Sequence, residues 1–373
     1  MVRLLHVADV HLGAPLASLG AAGAERARAV LESFTRLPEA AARHEIDAVL
    51  IAGDLFDRPD PPDVVAGAAL ETLRRLAEQG VPVFAVPGNH DTPRGAGTPY
   101  DEVPPGVTVF REPSFGDPVT VEAAAGPLHV YGVAYDAASV PEPLGGFRRT
   151  DAPGVHAVLL HGSVRDAPHW DRGSALPLPV ETLATLDADY IALGDHHRFR
   201  PPDGFEGPGL VPACYPGSFA GLDWTETGPR GYVLARVRPG EPPAVELHAS
   251  DVAPIHDAGR IDVSDLESES EIADRIAAAA GPDAPLIVTL EGEPPFPVDG
   301  ERLEERLAAR FGACRVIDET RFFDSAAVRA LARRPTVAGH VADLGIRRIE
   351  AAPDAKRAIH DRALRIALRA LED

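Results

Sequence analysis

The sequence predicts a layered α/β protein with a small α/β appendage and a helical C-terminal segment. Three observations lead there. Apolar runs alternate with helix-spaced segments through the N-terminal part, polar clusters follow directly on those runs, and helical spacing dominates the C-terminal part. The chain has 373 residues, 45% hydrophobic and 25% charged, enough for a large core and, by length, for two domains or one large domain with an appendage. Its first apolar stretch is broken by His6, Asp9 and His11, so neither a membrane span nor a signal peptide is expected. Cys214 and Cys314 lie far apart, which suits a reducing cytoplasm and argues against a disulfide framework or a thiolate metal site. The formal net charge is -21, and Lys356 is the sole lysine. Such an acidic balance argues against indiscriminate nucleic-acid binding, although arginines gathered on one face could still serve a nuclease.

Val2–Val10 reads as a strand ending in Asp9-Val-His11-Leu-Gly13. Residues i and i+2 of a strand share a side, so Asp9 and His11 are expected to project together. Ala24–Arg43 has the spacing of one crossover helix. Ile46–Phe56 is a second apolar strand ending at Gly53-Asp54. Asp63–Gln79 reads as a helix, with Asp63 as N-cap and Gly80 as its stop. Val81–Val86 is the third strand, followed by a Pro-Gly turn and then Asn89, His90 and Asp91. Asn offers a neutral oxygen, His a nitrogen or a proton, and Asp a charge that can orient the His. A packed core has no use for three such groups in a row, because each needs a buried partner. The strand–helix alternation puts these groups at the carboxyl ends of strands, where open α/β sheets bind ligands.

Beyond Tyr100 the pattern breaks into short β-like pieces, Val107–Phe110, Val119–Val121 and Leu128–Val133. Val155–Leu160 is a buried strand ending in His161-Gly162-Ser163, and Asp189–Leu193 ends in Gly194-Asp195-His196-His197. Tyr215-Pro-Gly-Ser218 and Arg230–Val237 close a β-rich half, so a catalytic unit is expected over residues 1–248. Ala249–Gly259 reads as a linker. A small α/β unit is expected over 255–320, built from Ser264–Ala280, Pro285–Glu291, Glu301–Phe311 and Cys314–Ile317. Residues 324–373 read as helical. Their basic residues, from Arg347 and Arg348 to the run Lys356–Arg369, form either a solvated face or a docking surface for a partner protein.

Strand ends thus carry Asp9 with His11, Asp54, Asn89 with His90, His161, and Asp195 with His197. One such pair would be weak, since Gly-Asp is a common turn and a lone histidine is usually structural. The whole set is hard to obtain from turn chemistry. It mixes carboxylate, imidazole and amide oxygen without thiolate, which favours Mn²⁺, Fe²⁺ or Zn²⁺ with open, water-bearing positions. Its size suggests two ions sharing a carboxylate. Ions about 3.5–4 Å apart clamp the attacking and leaving oxygens of a phosphoryl displacement. His6, His129, His156, His169 and His248 read as structural hydrogen bonders. Arg94, Arg198 and Arg200 flank the motifs and could either meet substrate phosphates or be ordinary solvated arginines.

The order D-x-H, G-D, G-N-H-D, H-G and G-x-x-H resembles the calcineurin-like metallophosphoesterase superfamily. His6-Val-Ala-Asp9-Val-His11-Leu-Gly13, Gly53-Asp54-Leu-Phe56-Asp57, and Tyr215-Pro-Gly-Ser218 with Glu226 are similar to its Mre11/SbcD exonuclease branch. The resemblance implies a metallophosphoesterase β-sandwich flanked by helices, with the appendage in the position of a DNA-capping domain. It implies one ion held by Asp9, His11, Asp54 and His197, and a second by Asp54, Asn89, His161 and Asp195, with Asp54 bridging and Mn²⁺ as the expected metal. It further implies a metal-bridging hydroxide as nucleophile, with His90 on the leaving-oxygen side and Asp91 orienting it. Implied partners are DNA, an SMC-like ATPase docked after the cap, and a second copy of the chain.

The chain departs from that pattern at one place. The family's last motif usually reads Gly-His-x-His, where this sequence has Gly194-Asp195-His196-His197. Counting from Gly194 puts Asp195 and His197 at the ligand positions and leaves His196 as a neighbour; a register using His196 breaks the spacing. Three functions stand against one another: a Mn²⁺-dependent DNA exo/endonuclease subunit of DNA repair, a phosphoesterase of cyclic nucleotides or other small phosphodiesters, and a catalytically weak scaffold for an ATPase. The net charge favours the second, because duplex DNA is itself a polyanion.

Overall fold

A computed structural model describes the chain apart from residues 94, 135–143, 145, 165–176, 206–209, 282–283, 293, 295, 297, 322–324 and 372–373. It divides into two compact units, Met1–Pro254 and Ile255–Asp373. The first opens with β1 (Val2–Val7), α1 (Gly23–Phe34), α2 (Leu37–His44), β2 (Ala48–Ala52), α3 (Asp63–Glu78) and β3 (Val83–Val86). Then come β4 (Val107–Val109), β5 (Val119–Ala123), β6 (Gly126–Val133) and β7 (Val155–His161). Short strands β8 (Ser163–Val164) and β9 (Pro177–Leu178) pair with each other and lead to α4 (Val180–Ala184). β10 (Tyr190–Gly194), β11 (Ala213–Cys214), β12 (Gly231–Val237) and β13 (Ala244–Ala249) complete the unit.

Among the described residues one sheet has the order β13-β12-β1-β2-β3-β4 and a second the order β11-β10-β7-β6-β5. Successive residues of a strand face opposite sides. Leu4, Leu50 and Phe84 of the first sheet therefore meet Val130, Leu159 and Ala192 of the second. Their neighbours Leu5, Val49 and Val83 turn outward and pack against Phe34, Leu73 and Leu76 of the helices. Val158, Leu160 and Ile191 do the same on the far side, against Leu183 of α4. This is the helix-flanked β-sandwich expected of the first unit. Its strands are continuous apolar runs because both faces are covered. β1, β2 and β3 run parallel, as do β7 and β10, so the carboxyl ends within each set share an edge.

Several local expectations differ from the structure. The single crossover helix is two, because Pro38 at the start of α2 cannot continue the helix before it. Asp63 lies inside α3 and Pro62 takes the N-cap position without a capping side chain. The first strand ends at Val7, short of Asp9. The presumed linker is partly structured. Ser250 N donates to Arg230 O at 2.8 Å, Asp251 N to Ser33 Oγ at 3.1 Å, and Arg26 to Ala253 O at 2.9 Å, which ties these residues to the first unit.

In the second unit β14 (His256–Asp262), β15 (Leu286–Glu291) and β16 (Cys314–Asp318) form a parallel sheet. Helices α5 (Glu269–Ala279) and α6 (Gly300–Phe311) pack on it through Ile272, Ile276, Leu303 and Leu307. Ser268 and Asp299 cap them by accepting from Glu271 N and Arg302 N. Helices α7 (Ser325–Ala332), α8 (Val337–Ala351) and α9 (Asp354–Arg369) share a small core of Val328, Ala342, Leu364 and Leu368. Among the described residues no helix is long and apolar enough to cross a membrane.

Arg26 is the buried clasp of the 249–254 tail, donating to Gly221 O at 2.5 Å as well as to Ala253 O. Arg26→Met should lower unfolding free energy by about 2 kcal/mol by stranding these carbonyls, read as a lower urea midpoint at unchanged slope.

Candidate metal centre

The carboxyl edges of the parallel strands bring Asp9, His11, Asp54, Asn89, His161, Asp195 and His197 into one cluster. Strand alternation, the expected cause, does not place Asp9 and His11. Both lie beyond β1, and left-handed backbone aims them, at φ 50° and 49°. Asp54 (φ 50°) and Asp195 (φ 101°) share that conformation. It costs a non-glycine residue roughly 1–3 kcal/mol and persists only where surrounding bonds enforce it. Those bonds are present: Asp9 N donates to Gly53 O, and Val10 N and His11 N to Asp54 O. Asp195 N donates to both carboxylate oxygens of Asp9, at 3.0 and 3.1 Å.

Candidate ligand atoms of Asp9, His11 and His197 lie within 4.8 Å of one another, and so do those of Asp9, Asp54 and His161. Asp54 sits between the halves, its Oδ2 3.7 Å from His11 Nε2 and 3.5 Å from His161 Nε2. Around His161 Nε2 are also Asn89 Oδ1 at 2.9 Å and Asp195 Oδ1 at 3.7 Å. His197 Nδ1 meets Glu226 Oε1 at 2.5 Å, and its Nε2 lies 3.9 Å from Asp9 Oδ1. His196 faces Tyr215 edge-on, with ring centroids 5.5 Å apart.

Several observations fit this cluster to divalent cations. Among the described residues His11 Nε2 is buried without a hydrogen-bond partner, 3.7 Å from Asp54 Oδ2. His161 keeps its Nδ1–H on Ala52 O at 2.8 Å, which turns the Nε2 lone pair toward Asp54, Asn89 and Asp195. Glycines let the backbone close on the donors: a Cβ on Gly88 would stand 2.2 Å from Asp54 Oδ1, and one on Gly53 2.3 Å from His161 Nδ1. Burial alone would lower the His161 pKa, yet Asp54, Asp9 and Asp195 outweigh it and hold the imidazole well above its ordinary range. His197 is likewise raised to about 9 against its burial, by Glu226 and Asp9. Imidazoles that take up positive charge in a buried site report surrounding carboxylates in need of cations.

His90 stands at the mouth, half-exposed, its Nδ1 3.2 Å from Asp57 O and its ring edge-on to His11 at 4.6 Å. With Nδ1–H on that carbonyl, Nε2 is the nitrogen left to give or take a proton. Asp91 does not orient this ring. Its carboxylate is fully buried and accepts from Gly88 N at 2.7 Å, Phe56 N at 3.1 Å and Tyr100 Oη at 2.5 Å. Asp91 thus staples the Asn89–His90 turn to the Asp54 loop, and Asp57 takes the place beside His90. Asp57 was legible as part of Gly53-Asp54-Leu-Phe56-Asp57, but its partners were not.

The cluster opens through a cleft of about 470 Å³ lined by His90, Arg198 and Arg230 among others. Arg198 faces this opening. Arg230 is committed to Ser218 Oγ, His197 O and the Glu226 carbonyl. Arg200 folds over the Phe205 ring at 4.2 Å and does not line the cleft, while Arg94 lies outside the described residues. The other histidines have local partners. His6 bonds Tyr190 Oη at 2.9 Å and is driven by burial to a pKa of about 3. His129 and His156 stack at 4.4 Å, and His248 stacks on Tyr232. His169 is outside the described residues.

The model of the calcineurin-like phosphoesterases matches residues 2–199. The chain belongs to that family. Its members use a dinuclear metal centre, and the cluster supplies candidate donors for one. The uncharacterized metallophosphoesterase YhaO of Bacillus subtilis is 29% identical over 273 residues, covering 72% of this chain and 64% of its own length. The DNA double-strand break repair protein Mre11 of Haloferax volcanii is 29% identical over 333 residues, or 86% of this chain and 69% of the relative. Mre11 of Aeropyrum pernix reaches 47% over 93 residues, which is 25% of this chain and 22% of that protein. These similarities set the phosphoesterase in the Mre11-type branch. The chain spans less than two-thirds of the Bacillus relative's length.

Two outcomes are expected of the centre. Adding Mn²⁺ to chelator-treated protein should raise the melting temperature, with about 2.7 kcal/mol from each ion held at a hundred times its dissociation constant, and Asp54→Ala should remove most of that gain. Asp91→Ala should cost about 3 kcal/mol in urea denaturation of the metal-free protein, because three buried donors lose their acceptor.

Proposed function

We propose that this protein is a dinuclear-metal phosphodiesterase acting on DNA, an exo/endonuclease subunit of DNA repair loaded with Mn²⁺. The observation that carries the reading is a buried, mixed carboxylate–imidazole–amide cluster opening through one cleft, with a half-exposed histidine at its lip. Asp9, His11, Asp54 and His197 would hold one ion, and Asp54, Asn89, His161 and Asp195 the other. Divalent ions there supply neutralisation of phosphate charge and an acidified water. The remaining work falls to the chain. Asp57 O fixes the His90 ring, and Nε2 passes its proton to the leaving oxygen. Glu226 locks His197 by its Nδ1, and Arg198 pairs with a phosphate at the cleft mouth. DNA as substrate is supported by the Mre11 relatives, one of them aligned over most of this chain.

Docking of an SMC-like ATPase belongs to the same proposal. It is supported by Ile359 and Ile366, seven residues apart on α9 and 64% and 61% exposed, which place an apolar stripe on a basic helix. A second reading, hydrolysis of small phosphodiesters, is favoured by the net charge of -21 and by a cleft of about 470 Å³, enough for a nucleotide.

The test is Mn²⁺-dependent release of nucleotides from end-labelled duplex and single-stranded DNA, run beside bis-nitrophenyl phosphate. DNA should be degraded, and His90→Ala should cut the rate by about 10²–10⁴-fold while metal content stays unchanged. Turnover of the small diester with DNA left intact would favour the second reading.

A further inference from the structure

Asp195 stands where the family's motif usually has histidine, and the structure gives it a partner that sequence reasoning overlooked. The Ser163 hydroxyl donates to Asp195 Oδ2, while Asp195 Oδ1 faces His161 Nε2 at 3.7 Å. Each oxygen thus has its own task, and the carboxylate presents one of them to the site. Ser163 is itself anchored on both sides. Tyr215 Oη donates to Gly162 O at 2.6 Å and accepts from Val164 N at 3.1 Å, so one buried phenol clamps the residues flanking Ser163. The Asp195 backbone is pinned by its N–H on the Asp9 carboxylate and held at φ 101°.

We propose that Ser163 is a positioning residue that restricts Asp195 to a single donor oxygen, and that the pair makes one half of the centre oxygen-rich, shifting its preference from Zn²⁺ toward Mn²⁺ relative to a histidine at position 195. This rests on the dinuclear reading above and deepens it. Left unrestrained, a carboxylate can chelate through two oxygens, whereas an imidazole at the same position offers one nitrogen. The hydroxyl on Oδ2 reproduces the one-atom geometry of the imidazole and keeps the negative charge. The half around His161 then offers oxygen from Asp54, Asn89 and Asp195 with one nitrogen. The half around His11 and His197 offers two nitrogens with Asp9 and Asp54. Oxygen-rich sites suit manganese, and added imidazole moves preference toward zinc. The two halves are therefore chemically unequal, and the ions differ in affinity.

The test is calorimetric and electron-paramagnetic-resonance titration of chelator-treated wild type, S163A, S163T and D195H with Mn²⁺, then with Zn²⁺ in competition. Circular dichroism of the metal-free proteins checks that each is folded. Wild type should bind two Mn²⁺ with distinct affinities. S163A should weaken one of them by about tenfold or more and leave the other unchanged, as loss of a group orienting a ligand does, and S163T should restore it. D195H should shift that same position toward Zn²⁺. Wild-type affinities in S163A, equal weakening in S163T, or no change of preference in D195H would overturn the inference while the dinuclear reading stands. A wild-type protein that takes up only one Mn²⁺ would overturn the dinuclear reading, and this inference with it.

Discussion

Negative charge buried at the seam of two sheets is the constraint on which the rest of the first unit depends. Asp9 and Asp54 are 0% and 2% exposed, at a depth where an isolated carboxylate costs several kcal/mol. Burial pushes the Asp9 carboxyl upward, while Asp54 is drawn below its ordinary range by His161 and His11 despite its own burial. The two carboxylates are therefore compensated unequally, and the surrounding imidazoles carry the balance. A packed apolar seam would be cheaper to build. The charges suit a site for cations, and left-handed backbone at Asp9, His11, Asp54 and Asp195 costs further stability.

What maintains that arrangement is a shell of groups that touch no metal position. Glu226 accepts from Ser218 Oγ at 2.8 Å and Leu222 N at 3.0 Å while it engages His197. The carboxylate is held to about 2 by His197 against its burial, so it remains a full negative charge behind the ligand. Asp91 does the same work for the Asn89–His90 turn through bonds to Phe56 and Tyr100. The Tyr215-Pro-Gly-Ser218 segment serves both halves at once: Tyr215 braces Gly162 and Val164, and Ser218 braces Glu226. A positioning network of this kind makes the donors rigid before anything binds, which is what a site of fixed geometry requires.

The candidate donors and their meeting were legible in the sequence because each follows an apolar strand, and parallel strands deliver their carboxyl ends to one edge. Asp54 after Ile51-Ala52-Gly53 is the clearest case. Strand alternation does not account for Asp9 and His11, since the strand stops at Val7 and the turn conformation does the aiming. The supporting partners were not legible. Glu226 lies 29 residues from His197, Ser163 lies 32 from Asp195, and Phe56 lies 35 from Asp91, and no local periodicity encodes such meetings. Asp91 illustrates the error this causes. Adjacency to His90 suggested an orienting carboxylate, but the backbone turn sends neighbouring side chains in different directions. The break between α1 and α2, by contrast, is encoded locally by Pro38, which outweighs the uniform helical spacing around it.

The parallel arrangement also bears on how the molecule assembles. The donors run from Asp9 to His197 in the chain, and they meet only where β1–β3 of one sheet approach β7 and β10 of the other. Contacts of such long sequence separation close late, after loop entropy has been paid and the sheets have docked. A nascent or partly folded chain therefore holds isolated groups and short pairs, such as Asp9 with His11 and Asp195 with His197, but not the assembled cluster. The full set of candidate donors exists for a cation only once the sandwich is shut, so loading of the complete site would follow folding. Ions held by the finished cluster would slow its opening far more than they hasten its formation.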